Sequence, residues 1–204
     1  GGVRAAEERT THFETLFNTR LDQNYDRKME IALKAVGFVR DHSTIFIDSS
    51  STCYIFAREL FKKRFVNLSI ITTSPSIQGE AMRYPDSTLI STGGLLRQHF
   101  NMLAGKWVVD FLERVNIDAA FISAAGISPS LKITTSNSEL GEILRVVFRR
   151  AQEVNLLADS SKFFKSAMLD IAHVRDCRRI ISDRGVQRKI DKLGQSGEMP
   201  ELVY

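Results

Sequence analysis

Six short apolar runs punctuate the chain, and the stretches between them carry a helical period. The runs are 44–49 (TIFIDS), 68–73 (LSIITT), 87–92 (STLIST), 117–124 (IDAAFISA), 153–159 (EVNLLAD) and 178–183 (RRIISD). None alternates cleanly between apolar and polar residues, which is the pattern of strands covered by helices on both faces. Most end in Ser, Thr or Asp, where a loop or a helix cap begins. Between them, Leu103, Trp107, Val108, Phe111, Leu112 and Val115 fall on one helical stripe, as do Leu140, Ile143, Leu144, Val147, Phe148 and Ala151. Met29, Ala32, Leu33, Val36 and Val39 form an earlier stripe behind Asp26, a candidate N-cap. Two further helices are expected over 52–63 and 75–83. This alternation predicts an α/β fold, a Rossmann-like three-layer sandwich with a mostly parallel central sheet. No internal repeat and no Gly/Pro/Ser linker divides it, so residues 25–204 read as one domain. Residues 1–24, with Phe13 and Phe17 among charges, read as an arm entering it.

Composition narrows the class further. With 204 residues, 43% hydrophobic and 25% charged, the chain can bury one sizeable core. No run approaches the roughly 18 apolar residues that cross a bilayer, and GGVRAAEERT lacks the apolar centre of a signal peptide. Cys53 and Cys177 are too few for a disulfide framework, so reduced thiols and a cytoplasmic location are expected. A net charge of +4 suits an anionic ligand or proximity to nucleic acid. No helix-turn-helix, zinc finger or aromatic RNA-binding motif is present, so any DNA-contacting part would lie outside this chain.

In parallel α/β sheets, ligands sit at the carboxyl ends of the strands, and here those loops are rich in hydroxyls. Asp48-Ser49-Ser50-Ser51-Thr52 leads from a strand into a helix, whose N-terminal N–H groups suit a phosphate; Ser and Thr are equally ordinary caps. Thr72-Thr73-Ser74-Pro75 repeats the pattern. Thr92-Gly93-Gly94, followed by Arg97, offers either close backbone approach to a ligand or a plain tight turn. Arg97 itself reads as an anion ligand or a solvated charge. In Asp159-Ser160-Ser161-Lys162-Phe163, a lysine between hydroxyls can place its ammonium on a phosphate or simply face water. Glu142 and Arg145, on the preceding helix, read either way.

Catalytic readings find less support. His12, His42, His99 and His173 have no metal-ligand spacing with each other or with the cysteines. Cys53 stands near a helix start but no local motif supplies a base. There is no P-loop, GxGxxG or GxSxG, and no metal or cofactor is called for.

Taken in order, IFIDSSST (45–52), IITTS (70–74), STGGLLR (91–97), DAAFISAAGI (118–127), ITTSNSELGEILR (133–145) and LLADSSKF (156–163) resemble the effector domain of the DeoR family of bacterial transcription regulators. The resemblance covers roughly residues 15–185, and LADSSKF is its most specific stretch. It implies a sugar-phosphate sensor that alters DNA binding, a repressor of carbohydrate catabolism acting as a homo-oligomer. It also implies a winged helix-turn-helix ahead of this chain, with Gly1-Gly2 resembling the junction and Phe17 and Arg20 the connector. The implied phosphate ligands are Ser49, Ser50, Ser51, Thr52 and Lys162. Asp48, Ser74, Gly93, Gly94 and Arg97 would line the sugar end, with Glu142 and Arg145 beside them.

The same fold is related to ribose-5-phosphate isomerase, so an isomerase-like enzyme is the first alternative and a degenerate oligomerisation domain the second. The family's Ala-Asp-Gly-Ile loop reads Ala124-Ala125-Gly126-Ile127 here, which removes the natural acid–base group. Binding without turnover is the expectation. Two more departures are Ser50 where a glycine is usual, expected to limit a left-handed turn, and Leu144 where a lysine is common.

Overall fold

The computed structural model describes residues 16–189 and 199–204. Its first half runs α1 (Phe17–Asp22), α2 (Tyr25–Val36), β1 (Thr44–Ile47), α3 (Ser51–Phe61), β2 (Ser69–Thr72), α4 (Pro75–Ala81), β3 (Thr88–Ser91), β4 (Leu95–Arg97), β5 (Met102–Ala104) and α5 (Lys106–Leu112). The second runs β6 (Ile117–Ile122), β7 (Gly126–Ile127), β8 (Lys132–Thr135), α6 (Ser138–Arg150), β9 (Ala151–Leu157), β10 (Leu169–His173), β11 (Arg179–Ile181) and β12 (Glu201–Val203). Short 3-10 turns include Ser160–Lys162 and Arg184–Lys189.

Seven strands form one sheet in the order β12-β11-β9-β6-β1-β2-β3, and every neighbouring pair is parallel. The expected three-layer α/β sandwich is therefore what the chain adopts. Successive residues of a strand face opposite sides, and β1 shows the result. Ile45 and Ile47 join a core with α2, α3 and α4 residues such as Ile31, Ile55 and Ile77. Phe46 joins the other core, with Val108 and Leu112 of α5 and Ile143 and Val147 of α6. The ring of Phe56 on α3 stacks on Phe121 of β6 with centroids 4.5 Å apart, clamping that helix to the sheet centre.

The helical stripes needed adjustment. Leu103 is not on the helix: it sits in the β4–β5 hairpin, its N–H bonded to the Thr73 carbonyl at 2.7 Å. Gly105, at φ 95°, ends the hairpin and lets α5 begin at Lys106, which turns Trp107 outward to 79% exposure. Asp26 lies in the first turn of α2, and the N-cap is Asn24 at φ 54°. The inward face of α2 carries Lys28, Ile31, Ala32 and Ala35, leaving Leu33 exposed. The small antiparallel sheet β10-β8-β7, the β4–β5 hairpin and β12 were not anticipated. Residues 16–24 of the expected arm include α1, whose Phe17 is buried with its ring 5.9 Å edge-on to Tyr54 of α3. The expected junction at Gly1-Gly2 lies outside the described residues.

Candidate functional site

Strand order decides where loops converge. From β1 the chain steps to β2 and β3 on one side, then returns to place β6, β9, β11 and β12 on the other. Loops leaving neighbouring strands β1 and β6 thus diverge, and a crevice opens between them at the carboxyl edge. A cleft of about 680 Å³ occupies that position, and residues of the loops after β1, β6 and β9 line it.

Asp48 holds the crevice open in a fixed shape. Its Oδ1 accepts the Ser50 N–H at 2.8 Å and its Oδ2 the Ser123 N–H at 2.7 Å, so one buried carboxylate ties the ends of β1 and β6 together. Ser50 then caps α3, its Oγ accepting the Cys53 N–H at 3.2 Å. Its backbone is extended, φ −71° and ψ 158°. A serine therefore fits where the family resemblance suggests glycine, because no left-handed turn is needed there. Ser50, Ser51 and Thr52 line the cleft with the N-terminus of α3, whereas Ser49 is buried and does not reach it.

Facing them, Asp159 caps the 3-10 turn Ser160–Lys162, its Oδ1 accepting the Ser161 N–H at 2.9 Å. Its buried Oδ2 has no hydrogen-bond partner among the described residues. Lys162 and Lys165 line the same wall. The α1–α2 corner closes it with Arg20, Gln23, Asn24 and Lys28. Lys28 is 4% exposed, and its ammonium donates to the Arg20 carbonyl. Burial is the main cause that lowers its pKa from 10.5 to about 8; Asp159 opposes that shift, and Lys162 and Arg20 add to it. Four cations and two carboxylates thus share the cleft, and one of the carboxylates is fully engaged by backbone N–H groups. The arrangement favours an anion.

The remaining wall differs. It comprises Thr135, Ser136, Leu140, Leu144, Ala124, Ala125, Ala167, Met168 and Ile171. Gly126, beside it, admits no side chain, because a Cβ there would collide with the Lys165 carbonyl.

Several residues singled out in the sequence lie elsewhere. Ser74 is fully buried and caps α4, accepting the Ile77 N–H at 3.3 Å and an Asn101 Nδ2–H at 2.8 Å. Gly93 and Gly94 follow β3, two strands away from β1 on the side opposite β6. Gly94 is needed for packing: at φ +113° its Cβ would stand 2.7 Å from the Ala104 carbonyl oxygen. Arg97 makes two 2.8 Å hydrogen bonds to Glu139 at the surface, and that contact raises its pKa while lowering Glu139's. Glu142 and Arg145 are exposed on α6, Arg145 donating to the Asp170 carbonyl at 2.5 Å. Cys53 is buried, and its thiol is pushed well above the usual range, by burial first and by Asp48 second, which suits no nucleophile. Among the described residues no group of three or more His, Cys, Asp or Glu side chains is placed to hold a metal. No helix among them is long and apolar enough to cross a membrane.

Sequence reading missed Gln23, Asn24, Lys28 and Lys165. Lys28 carried a signal, since it falls on the helical stripe of Ile31, Ala32 and Ala35 where an apolar residue belongs.

The chain is thus a parallel α/β sandwich with a cationic cleft at its switch point. The chain belongs to the DeoR family of transcription regulators, the model of the DeoR C terminal sensor domain matching residues 23–184. It is 31% identical over 167 residues to the L-fucose operon activator of Escherichia coli, covering 82% of this chain and 68% of that protein. It is 33% identical over 172 residues to the HTH-type transcriptional regulator IolR of Bacillus subtilis, covering 84% and 66%. Among solved structures, ribose 5-phosphate isomerase A of Methanocaldococcus jannaschii superposes with TM-score 0.51 at 24% identity, over 69% of this chain and 55% of that one. The delta subunit of eIF2B from Chaetomium thermophilum gives TM-score 0.57 at 11% identity, over 78% and 56%. These two likenesses concern the fold alone.

Proposed function

We propose that this domain binds a phosphorylated sugar in the switch-point cleft and so alters the DNA binding of the regulator it serves. The observation that carries the reading is convergence: the N-terminus of α3 and the side chains of Arg20, Lys28, Lys162 and Lys165 open on one cleft. Helix N-terminal N–H groups and lysines favour a phosphate by both dipole and hydrogen bond. Ser50, Ser51, Thr52 and Lys162 are the proposed phosphate contacts, joined by Arg20 and Lys28. Thr135 and Ser136 supply hydroxyls for the sugar. A relative named an operon activator for L-fucose supports a carbohydrate signal.

The regulator is proposed to be a cytoplasmic homo-oligomer that represses carbohydrate-catabolism genes and contacts DNA through an N-terminal helix-turn-helix. A promoter reporter in cells with and without the full-length protein decides between repression and activation. Turnover is not proposed: Ala125 offers no acid or base at the position where the family resemblance places one, and the carboxylate of Asp48 is held by two backbone N–H groups. The signal has a short path out. Lys28 lines the cleft and holds the Arg20 carbonyl, so a ligand that draws its ammonium away releases the end of α1. A ligand shifts such an equilibrium only by its differential affinity for the two arrangements.

The test is a thermal-shift screen against sugar phosphates and their free sugars, with Lys162→Ala alongside. A ligand at about 100 times its Kd adds roughly 2.7 kcal/mol, or roughly 5–10 °C in Tm for a chain this size. One phosphate should raise Tm, its free sugar should not, and Lys162→Ala should remove the effect. Silence from every phosphate would overturn the reading.

A further inference from the structure

The cleft is chemically two-ended. All of its ionisable lining groups come from residues 20–28, from Asp48 and from 159–165. The remaining wall sets the apolar side chains of Ala125, Leu140, Leu144, Ala167, Met168 and Ile171 beside the hydroxyls of Thr135, Ser136 and Ser166, and contributes no ionisable group. Leu140 and Leu144 stand one turn apart on α6; Leu140 is half-buried, and Leu144 is fully buried behind it. Thr134 pins the two alanines side by side: its carbonyl accepts the Ala125 N–H at 3.1 Å and its Oγ1 the Ala167 N–H at 2.9 Å. Thr135 Oγ1 accepts the Asn137 N–H at 3.2 Å, so part of the neighbouring hydroxyl capacity is already engaged.

Resting on the phosphate reading above, we propose that the cleft selects a phosphorylated sugar deoxygenated at the end remote from its phosphate. Leu140, Ile171 and Ala125 are the specificity-determining residues. With the phosphate held by α3 and the lysines, the far end of the ligand meets this wall. A terminal methyl group there leaves water for hydrocarbon contact. A hydroxymethyl group seated against these three side chains gives up water without gaining a partner from them, which costs free energy.

The test is calorimetric titration of the domain with the 1-phosphates of glucose, galactose and mannose, each beside its 6-deoxy counterpart, and with inorganic phosphate. Within the best-held pair, the 6-deoxy compound should bind at least about tenfold more tightly, the scale on which an apolar pocket separates a methyl-bearing ligand from its hydroxylated analogue. Ala125→Ser, which adds one hydroxyl to the wall, should cut that preference several-fold. Leu140→Asn should erase it, and Ala125→Ser keeps the test decisive where the asparagine unfolds the domain. If hydroxymethyl compounds bind equally well or better while Lys162→Ala still abolishes binding, the wall assignment falls and the phosphate reading stands. A preference that survives Ala125→Ser unchanged also overturns the wall. Failure of every phosphorylated compound to bind overturns both.

Discussion

The proposed anion site predicts an affinity that depends on pH, through Lys28, on the alkaline side of neutrality. The ligand-free domain holds its ammonium at a pKa of about 8, against an ordinary 10.5, chiefly because the side chain is buried, with Lys162 and Arg20 adding to the effect. An anion seated among these groups favours the charged form and moves the value back toward 10.5. Between the free and bound values, binding takes up a proton, so affinity falls as pH rises through that window. Below about 8 the ammonium is charged in both states, and its contribution is flat. Each pH unit of displacement recovered corresponds to about 1.4 kcal/mol, or tenfold in Kd. Titration of a sugar phosphate at pH 7.5, 8.5 and 9.5 should therefore show affinity falling by up to about tenfold per unit above pH 8. A phosphate monoester has already lost its second proton near pH 6, so its own ionisation adds nothing there. Buffers of different protonation enthalpy should report the proton uptake directly, and Lys28→Met should flatten the profile. The same lowered pKa has a folding consequence of definite sign. From 10.5 down to about 8 the unfolded chain binds a proton that the folded one refuses, so stability falls as pH falls through that interval and is constant in this respect below it. A pH-independent Kd from 8 to 9.5, or an unchanged slope in Lys28→Met, would refute the reasoning.

Two further substitutions probe the scaffold of the cleft. Asp48→Asn keeps one acceptor for the Ser50 and Ser123 N–H groups and turns the other into a donor, so it should destabilise the domain by about 2 kcal/mol. In urea this reads as a lower midpoint with an unchanged m-value, and a loss under about 0.5 kcal/mol would show that the carboxylate does not tie the two strand ends. Gly94→Ala places a Cβ 2.7 Å from the Ala104 carbonyl and 2.8 Å from Val108 Cγ2 at a positive φ, and should cost about 1–3 kcal/mol by the same measurement. It should leave phosphate affinity unchanged in the folded protein, because Gly94 packs against the β4–β5 hairpin and α5 and does not line the cleft.

Most of the architecture was legible because period and length are local properties. Runs such as 44–49 and 117–124 are too short and too evenly apolar for surface helices, and they became the central strands β1 and β6. The elements that escaped notice are those without a periodic signature. The β4–β5 hairpin has three residues a side, and β7 has two. Trp107 was misplaced because an aromatic residue at helical spacing reads as core until Gly105 is known to start the helix just before it. Lys28 was passed over for the converse reason, since a lysine on an apolar stripe reads as the stripe's edge unless something pays to bury it.

The candidate site was half legible, and the line between the halves is drawn by topology. Ser50 and Ser74 follow consecutive strands, both cap the next helix through Oγ, and both are extended in the backbone. Nothing within ten residues of either distinguishes a ligand loop from a capping turn. What separates them is that β1 neighbours β6 across the switch point, whereas β2 lies between β1 and β3. Ser50 therefore opens on the cleft, and Ser74 is sealed beneath Asn101. The same argument removes Gly93, Gly94 and Arg97 and retains Lys162, whose loop follows β9 beside β6. Hydroxyl-rich turns announce where a strand ends in sequence, and the order of strands in the sheet determines which of those ends can act together.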